Sequence, residues 1–297
     1  MKLDARPYEN TAISGSAAFP FHRFTMTLPD ESSSILLHWH NNMEVLLVRG
    51  GEGTITVDLE PSRISAGDIC LVLPGQLQAM EPAEGKSLKV ERYQFPLGIL
   101  SGTQEESAVE ALFHPLSSGM QIFPWHISRE FAGYEPLIQC LDEITQITTF
   151  FPAAYPLAVK SKLYQLFYIL YYNEPEPEPR NRPRKSVQHA KLLLQYVAEN
   201  YSRQLKITEM AGVCGFSESH FIKFFKSIVG LTFTEYLNLY RLSKAAEMLI
   251  ESHMPVGDVA QSCGFTNVSY FNRLFRQKYG LAPTAYRREG ISHPGQF

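Results

Sequence analysis

The spacing of apolar and polar positions divides the chain into stretches of different period. Residues 1–20 show no clear period and are expected to form a loose arm. From Phe21 the pattern becomes β-like. Short apolar, β-branched runs at 35–37, 44–48, 54–59, 69–73 and 88–95 alternate with turn chemistry. The predicted turns are Gly50-Gly51-Glu52-Gly53, Glu60-Pro61-Ser62, Ala66-Gly67-Asp68, Pro74-Gly75 and Glu81-Pro82 through Gly85. Short strands at this spacing predict a small antiparallel sandwich or barrel. The glycines at 50–53 lack the Lys-Ser/Thr of a phosphate loop and no helix follows them, so they are assigned to a hairpin turn.

Residues 105–172 switch to a helical period. In 134–149, Leu137, Ile138, Leu141, Ile144 and Ile147 recur at three- and four-residue steps. Residues 156–172 are apolar almost all round: Leu163, Leu166, Phe167 and Leu170 form one stripe, with Tyr164, Tyr168 and Tyr171 beside it. Such a helix has two faces to bury. One is expected to cover the barrel and the other to pair with a second copy of the chain. A Pro-Glu alternation from Asn173 to Lys185 then forbids helix and sheet ladders. As a polyproline II spacer it reaches roughly 40 Å. The predicted organisation is an arm and barrel at 1–100, a helical dimerisation segment at 101–172, a linker at 173–186 and an all-α domain at 187–290.

That last domain contains the same pattern twice. Ala211-Gly-Val-Cys214-Gly215-Phe216 recurs as Ala260-Gln-Ser-Cys263-Gly264-Phe265. Beyond it Phe221, Lys223, Phe225, Lys226, Gly230 and Tyr236 recur as Phe271, Arg273, Phe275, Arg276, Gly280 and Tyr286. Two helix-turn-helix units are predicted. A lead-in helix at 187–201 precedes them, and a helix at 232–251 joins them. In the first unit, Thr208 opens a helix at 207–214, Gly215 turns the chain and Ser217 caps the next helix. There Phe221, Phe224, Phe225 and Ile228 face inward, so Ser219, Ile222, Lys223 and Lys226 face outward. In the second unit a helix at 256–263 is followed by one capped at Asn267, which also counts among the candidate DNA contacts. Phe271, Leu274 and Phe275 face inward, while Ser269, Asn272, Arg273 and Arg276 face outward with Tyr270 at the edge. Lys, Arg, Asn and Ser suit base edges and phosphates, and Ile suits a thymine methyl. A solvated face is common once; its recurrence at matching positions points to DNA. If the connector sets the outward helices about 34 Å apart, they enter successive major grooves.

Charge sharpens that division. Residues 1–179 hold 11 Lys and Arg against 22 Asp and Glu; residues 180–297 hold 16 against 8. Only the C-terminal part is suited to a polyanion. The four cysteines form no Cys-x-x-Cys pair, and Cys214 and Cys263 fill the same slot in the repeats as small buried hydrophobes. Neither a signal segment nor an apolar run long enough for a bilayer is visible, so a cytoplasmic protein without membrane contact is expected.

The candidate chemistry of the front half lies in His38-Trp39-His40-Asn41-Asn42-Met43-Glu44. Two His at i and i+2 on a strand share a face, and the carboxylate could join them on a metal. The spacing, with Gly51, resembles the first cupin motif. The second motif is degraded: Gly67 and Gly75 fit, but Leu73 stands for Pro and Gln78 for the ligand His. Three readings stay open: a metal held by His38, His40 and Glu44; a small-molecule pocket lined by His38, His40, Glu44 and Gln78; or a packed polar core.

Residues 187–290 resemble the DNA-binding domain of AraC-type transcription regulators. The resemblance is carried by Ala260, Gly264-Phe265, the run from Asn267 to Arg276, and Gly280-Leu-Ala-Pro283-Thr-Ala-Tyr286-Arg287. It implies base-reading positions at Ser219, Ile222 and Lys223 in the first unit and Ser269, Tyr270, Asn272 and Arg273 in the second. Lys223 departs from the Arg of many members. Residues 21–100 resemble the cupin-like effector domain that often precedes this module, which implies a sensor. The expected fold is therefore a cupin-like β-barrel plus helices, followed by an all-α double helix-turn-helix. The expected function is a sequence-specific DNA-binding regulator, an activator, controlled by a sugar or sugar derivative. Its expected partners are promoter DNA, RNA polymerase and a second copy of itself, with no cofactor. The alternatives are a metal-dependent cupin enzyme fused to a DNA-binding domain, and a constitutive DNA-binding dimer without effector.

Overall fold

The structure is a computed structural model that describes residues 9–14, 19–28, 34–100, 107–118, 123–173 and 185–289. Most of the expected linker, 174–184, lies outside the described residues.

The N-terminal domain is built around one strand, β4 of the series β1 (Glu9–Ser14), β2 (His22–Leu28), β3 (Ile35–His38), β4 (Met43–Val57), β5 (Glu60–Ser65), β6 (Ile69–Val72), β7 (Gln78–Pro82), β8 (Leu88–Phe95) and β9 (His126–Ile127). The first half of β4 pairs antiparallel with β8 and β6, and its second half with β5 and β7. One sheet runs β1-β2-β8-β4-β6-β9, and β3 joins the other through β7. The two halves of β4 belong to different sheets because the strand bends at glycine. Its register against β8 shifts between Val48 and Gly50. Gly51 has φ 80°, and a Cβ on it would sit 1.8 Å from the Ser87 carbonyl oxygen. Only Gly permits both the conformation and the approach.

Three sequence expectations are corrected here. Residues 50–53 are a bend inside a continuous strand, not a hairpin turn. The chain reverses instead at Asp58 and Leu59, with φ 49° and 68°, so β5 begins inside the predicted turn at 60–62. The Asp58 carboxylate holds this left-handed pair by accepting from Leu77 N and Gln76 Nε2, both at 3.0 Å. Residues 9–14, expected in a loose arm, pair with β2 as an edge strand.

Inside the barrel, Met26, Leu28, Ile35, Leu46, Val48, Ile55, Val57, Val72, Met80, Leu88 and Val90 form one apolar cluster. The opposite face of the β2-β8-β4-β6 sheet is covered by α1 (Ser107–Ser118), α2 (Tyr134–Phe150) and α3 (Tyr155–Asn173). Met43, Val45, Leu47, Tyr93 and Phe95 meet Leu137, Leu141, Ile144, Leu163, Phe167 and Leu170 there. The expected stripe of α3 is buried, while Leu157, Tyr168 and Tyr172 remain 72%, 66% and 72% exposed. An ion cluster, buried at Arg23 and Glu91, reinforces the sheet–helix contact. Glu91 bonds Arg23 Nη1 at 2.7 Å and Arg49 Nε at 2.6 Å, and Arg49 reaches Asp142 at 2.8 Å.

The C-terminal domain consists of α4 (Lys185–Asn200), α5 (Ile207–Val213), α6 (Glu218–Val229), α7 (Phe233–Glu251), α8 (Val256–Ser262), α9 (Val268–Tyr279) and α10 (Pro283–Glu289). Helix α5 starts after Lys206 rather than at Thr208, which lies in its first turn without capping it. The other predicted caps form: Ser217 accepts from His220 N and Asn267 from Tyr270 N. Thr232 and Glu235 close a capping box on α7. Two cores result. The N-terminal half of α7 packs with α4, α5 and α6, and its C-terminal half with α8, α9 and α10.

The first of these cores extends into the barrel. Leu36, Leu37 and Leu77 belong to it, with Trp39 and Ala79 packed against them. The buried Tyr236 hydroxyl of α7 donates to the Leu37 carbonyl at 3.2 Å. Strands β3 and β7 thus dock on the first helix-turn-helix unit.

Candidate DNA-reading helices and barrel site

In α6 the burial of Phe221 and Phe225, at most 1% exposed, rotates the opposite face outward. Ser219, Ile222, Lys223 and Lys226 are all exposed there, Ile222 at 48%. In α9, Phe271 and Phe275 are fully buried and Ser269, Tyr270, Asn272, Arg273 and Arg276 are exposed. Equivalent positions of the repeat thus present equivalent faces beside the two halves of α7, whose nineteen residues span about 28 Å.

The second face is more organised than the first. The Arg273 guanidinium lies 5.3 Å from the Tyr270 ring centroid, and Asn238 Nδ2 of α7 donates to the Tyr270 hydroxyl at 3.2 Å. A groove runs along it, lined by Asn272, Arg273, Arg276 and Gln277 of α9 and by Val256, Gly257, Pro283 and Thr284 from the starts of α8 and α10. Gln277 escaped the sequence reading because it has no basic counterpart in the first unit. Asn267, grouped there with the candidate DNA contacts, accepts from Tyr270 N through its side-chain Oδ1 as the helix cap at 2.9 Å.

The four residues singled out in the barrel converge at one end of its interior, around a fifth that the sequence did not single out. Arg92 of β8 bonds Glu44 Oε1 through Nε at 2.8 Å and also through Nη2. Gln78 Nε2 donates to Glu44 Oε2 at 2.6 Å and lies 3.0 Å from His40 Nε2. His38 sits opposite Gln78 in the β3–β7 register, with Nδ1 2.8 Å from the Leu36 carbonyl oxygen. Alternation places Arg92 here, since it follows the inward Leu88 and Val90 at steps of two.

The electrostatics follow from this arrangement. Burial would raise the Glu44 carboxyl, but the Arg92 guanidinium and the His40 contact hold it well below the usual carboxylate range. Burial, with Arg92 beside it, lowers His38 to about 4, so it is neutral at pH 7. Glu44 and Arg92 cancel each other. A metal fits this arrangement poorly: both Glu44 oxygens are engaged, and a guanidinium occupies the cationic position that a metal would need. No group of three or more His, Cys, Asp or Glu among the described residues is arranged to hold a metal ion. Of the cluster, His40 reaches furthest toward solvent, with 19% of its side chain exposed. The polar end also adjoins the domain contact. Leu37 and His38 are neighbours on β3, and Leu77 and Gln78 are neighbours at the start of β7.

Comparison with known proteins agrees with this division of labour. Residues 30–167 match the family model described as an AraC-like ligand binding domain, and residues 210–289 match a helix-turn-helix domain model. The bifunctional transcriptional activator/DNA repair enzyme AdaA of Bacillus subtilis (strain 168) is 31% identical over 111 residues, 37% of this chain and 53% of that protein. Such matches span about half the length of the curated relatives concerned. The HTH-type transcriptional activator RhaS of Pectobacterium atrosepticum is 24% identical over 255 residues, 86% of this chain and 88% of that one. The solved structure of ToxT from Vibrio cholerae covers 91% of this chain, at 14% identity and TM-score 0.45. With an AraC-like ligand binding domain matched in front of a helix-turn-helix domain, the chain carries the two-domain arrangement of an AraC-type transcription regulator.

Proposed function

We propose that the chain binds promoter DNA through α6 and α9 and changes that binding when a small neutral ligand enters the polar end of the barrel. The observation that carries this is the pair of outward faces at equivalent repeat positions along one bar, helix α7, with the strands that carry the polar cluster docked on the same bar at Tyr236. Ser219, Ile222 and Lys223 read one major-groove segment, and Ser269, Tyr270, Asn272 and Arg273 read the next. Lys226 and Arg276 hold phosphates, and Asn267 fixes the start of α9. Asn272 and Arg273 offer bidentate contacts to adenine and guanine, so the second segment is the more discriminating one.

For the effector, the chemistry favours a sugar or sugar derivative. Glu44 and Arg92 offer no net charge, and His38 is neutral at pH 7. Hydroxyl groups can exchange for the polar contacts of His38, His40, Glu44 and Gln78, whereas an anion would face Glu44. The pocket reading is therefore preferred to the metal and packed-core readings. The coupling runs through Leu37 and Leu77 to Tyr236, because a shift of β3 or β7 alters the seat of the first unit. Activation is proposed from the likeness to RhaS, an activator, and would act through RNA polymerase. The uncovered Leu157, Tyr168 and Tyr172 of α3 support self-association as a homodimer.

The test is DNA affinity. A duplex is enriched from a random pool with the full chain, and its affinity is measured by fluorescence anisotropy with and without a panel of neutral sugars. At least one sugar should shift the affinity, and Gln78→Leu should abolish the shift. Enrichment without a response to any sugar would leave a constitutive DNA-binding protein and refute the proposed effector class.

A further inference from the structure

The two turns of the duplicated motif carry glycine in the same conformation but in different surroundings. Gly215 has φ 67° and a Cβ there would meet nothing within 4 Å. Gly264 has φ 85° and is enclosed: a Cβ there would come 2.7 Å from the Tyr201 carbonyl oxygen, 2.8 Å from that of Ser202 and 3.0 Å from Arg241 Cζ. Tyr201 and Ser202 follow α4, a helix of the first core, whereas Gly264 is the turn of the second unit. The halves of the repeat therefore touch, at a place only glycine permits.

Arg241 fills the junction. It lies on α7 between Tyr240, the last α7 residue of the first core, and Leu242, the first of the second. Its side chain is buried, with the residue 9% exposed. Nε donates to the Tyr201 carbonyl and Nη2 to the Arg203 carbonyl, each at 2.8 Å, while Cζ stands 5.9 Å from the Phe265 ring centroid. One planar guanidinium thus ties the bar, the segment between α4 and α5, and the turn before α9. The bonds from α9 to the bar, Asn238–Tyr270, Lys278–Leu239 and Tyr279–Leu242, do not reach α4, α5 or α6. Burying a guanidinium against neutral carbonyls costs desolvation that a hydrophobic residue would avoid, so its retention needs a geometric reason.

We propose that Arg241, seated against Gly264, is a positioning residue for DNA recognition: it sets the angle between α6 and α9 and so the spacing of the two base-pair blocks the chain accepts. This rests on the reading of α6 and α9 as DNA-contacting helices. Without the lock each unit keeps its own core and its outward face. What is lost is the fixed relation between them. The protein would then bind blocks at several spacings, each less tightly.

The experiment uses the full chain and a duplex enriched from a random pool, alongside duplexes with one base pair inserted or removed between the two protected blocks. One base pair moves a block by about 3.4 Å and turns it by about a tenth of a helical turn. The native chain should lose about 30-fold in affinity on either change. Arg241→Met, which keeps the stem and removes the donors, should bind the original duplex about 10-fold more weakly and lose no more than about 3-fold on a spacing change. Gly264→Ala should narrow the spacing penalty in the same way. Gly215→Ala carries the same left-handed strain in open space and should retain the full penalty. Thermal melts check folding, and Arg241→Lys, able to serve one carbonyl, gives an intermediate penalty if the Met variant does not fold. The proposal is overturned if Arg241→Met and Gly264→Ala keep the native penalty, or if Gly215→Ala loses it equally. A native chain that enriches a two-block duplex yet ignores its spacing also overturns it. A native chain that enriches no duplex overturns the DNA reading itself, and the lock with it.

Discussion

Replacing Arg92 by Met should destabilise the barrel by about 3–4 kcal/mol at pH 7. The substitution keeps the apolar stem but removes both donors to Glu44 Oε1. Glu44 is 0% exposed and keeps Gln78 and His40 as neighbours; among the described residues no other cation in direct contact replaces Arg92. Breaking one side of a buried pair typically costs about 3–5 kcal/mol, because the remaining charge is stranded. Protonation of the carboxyl caps the loss, since each unit of upward pKa shift is about 1.36 kcal/mol. Glu44 in the variant therefore carries its penalty above its ordinary range and sheds it as the pH falls. Urea melts followed by tryptophan fluorescence measure this, because the chain's two tryptophans, Trp39 and Trp125, both precede α2. The double variant Glu44→Gln with Arg92→Met should be more stable than Arg92→Met alone. A loss below about 1 kcal/mol, the scale of a surface pair, or a double variant weaker than the single one, would refute the reasoning.

Acid should weaken the native barrel before the carboxylates titrate. His38 is held near 4 against an ordinary 6.5, so the unfolded chain takes up a proton that the folded one refuses between those values. Stability therefore falls with pH across that window, by about 2 kcal/mol at pH 5, and His38→Gln should flatten the slope in urea melts. Tyr236→Phe keeps the packed ring and removes the bond to Leu37; it should leave the affinity of the ligand-free chain for DNA within about 3-fold while reducing any effector response in the same anisotropy assay. Arg273→Ala should cost about 1–3 kcal/mol on the selected duplex and relax the choice at one base pair, read from binding to single-base variants. Lys226→Ala should weaken selected and random duplexes alike and flatten the salt slope by about one unit.

The helical half was largely legible because its signals are local. Phe221, Phe225, Phe271 and Phe275 lie at helical spacing, and Ser217 and Asn267 cap helices that begin beside them. The β half was legible in composition but not in path. A run of three glycines in four residues signals a turn when seen alone; only the facing Ser87 and the two sheets sharing β4 make it a bend. Likewise Glu81-Pro82 reads as a turn, yet Pro82 closes β7. His38, His40, Glu44 and Gln78 could be grouped from spacing. Arg92 could not be joined to them, because its partner is 48 residues away across a strand pairing. The contact of Tyr236 with Leu37 and the burial of Arg241 belong to the same class: long-range acceptors are main-chain carbonyls, which no residue identity announces.

The central claim, two reading helices acting on one stretch of DNA, is tested most directly by a specificity ratio. The full chain is titrated at one fixed salt concentration against the duplex enriched from a random pool and against a scrambled duplex of equal length. A ratio of about 10³ or more is predicted, with two protected blocks about one helical turn apart. Equal affinity for the two duplexes would show charge-driven binding alone and contradict the account.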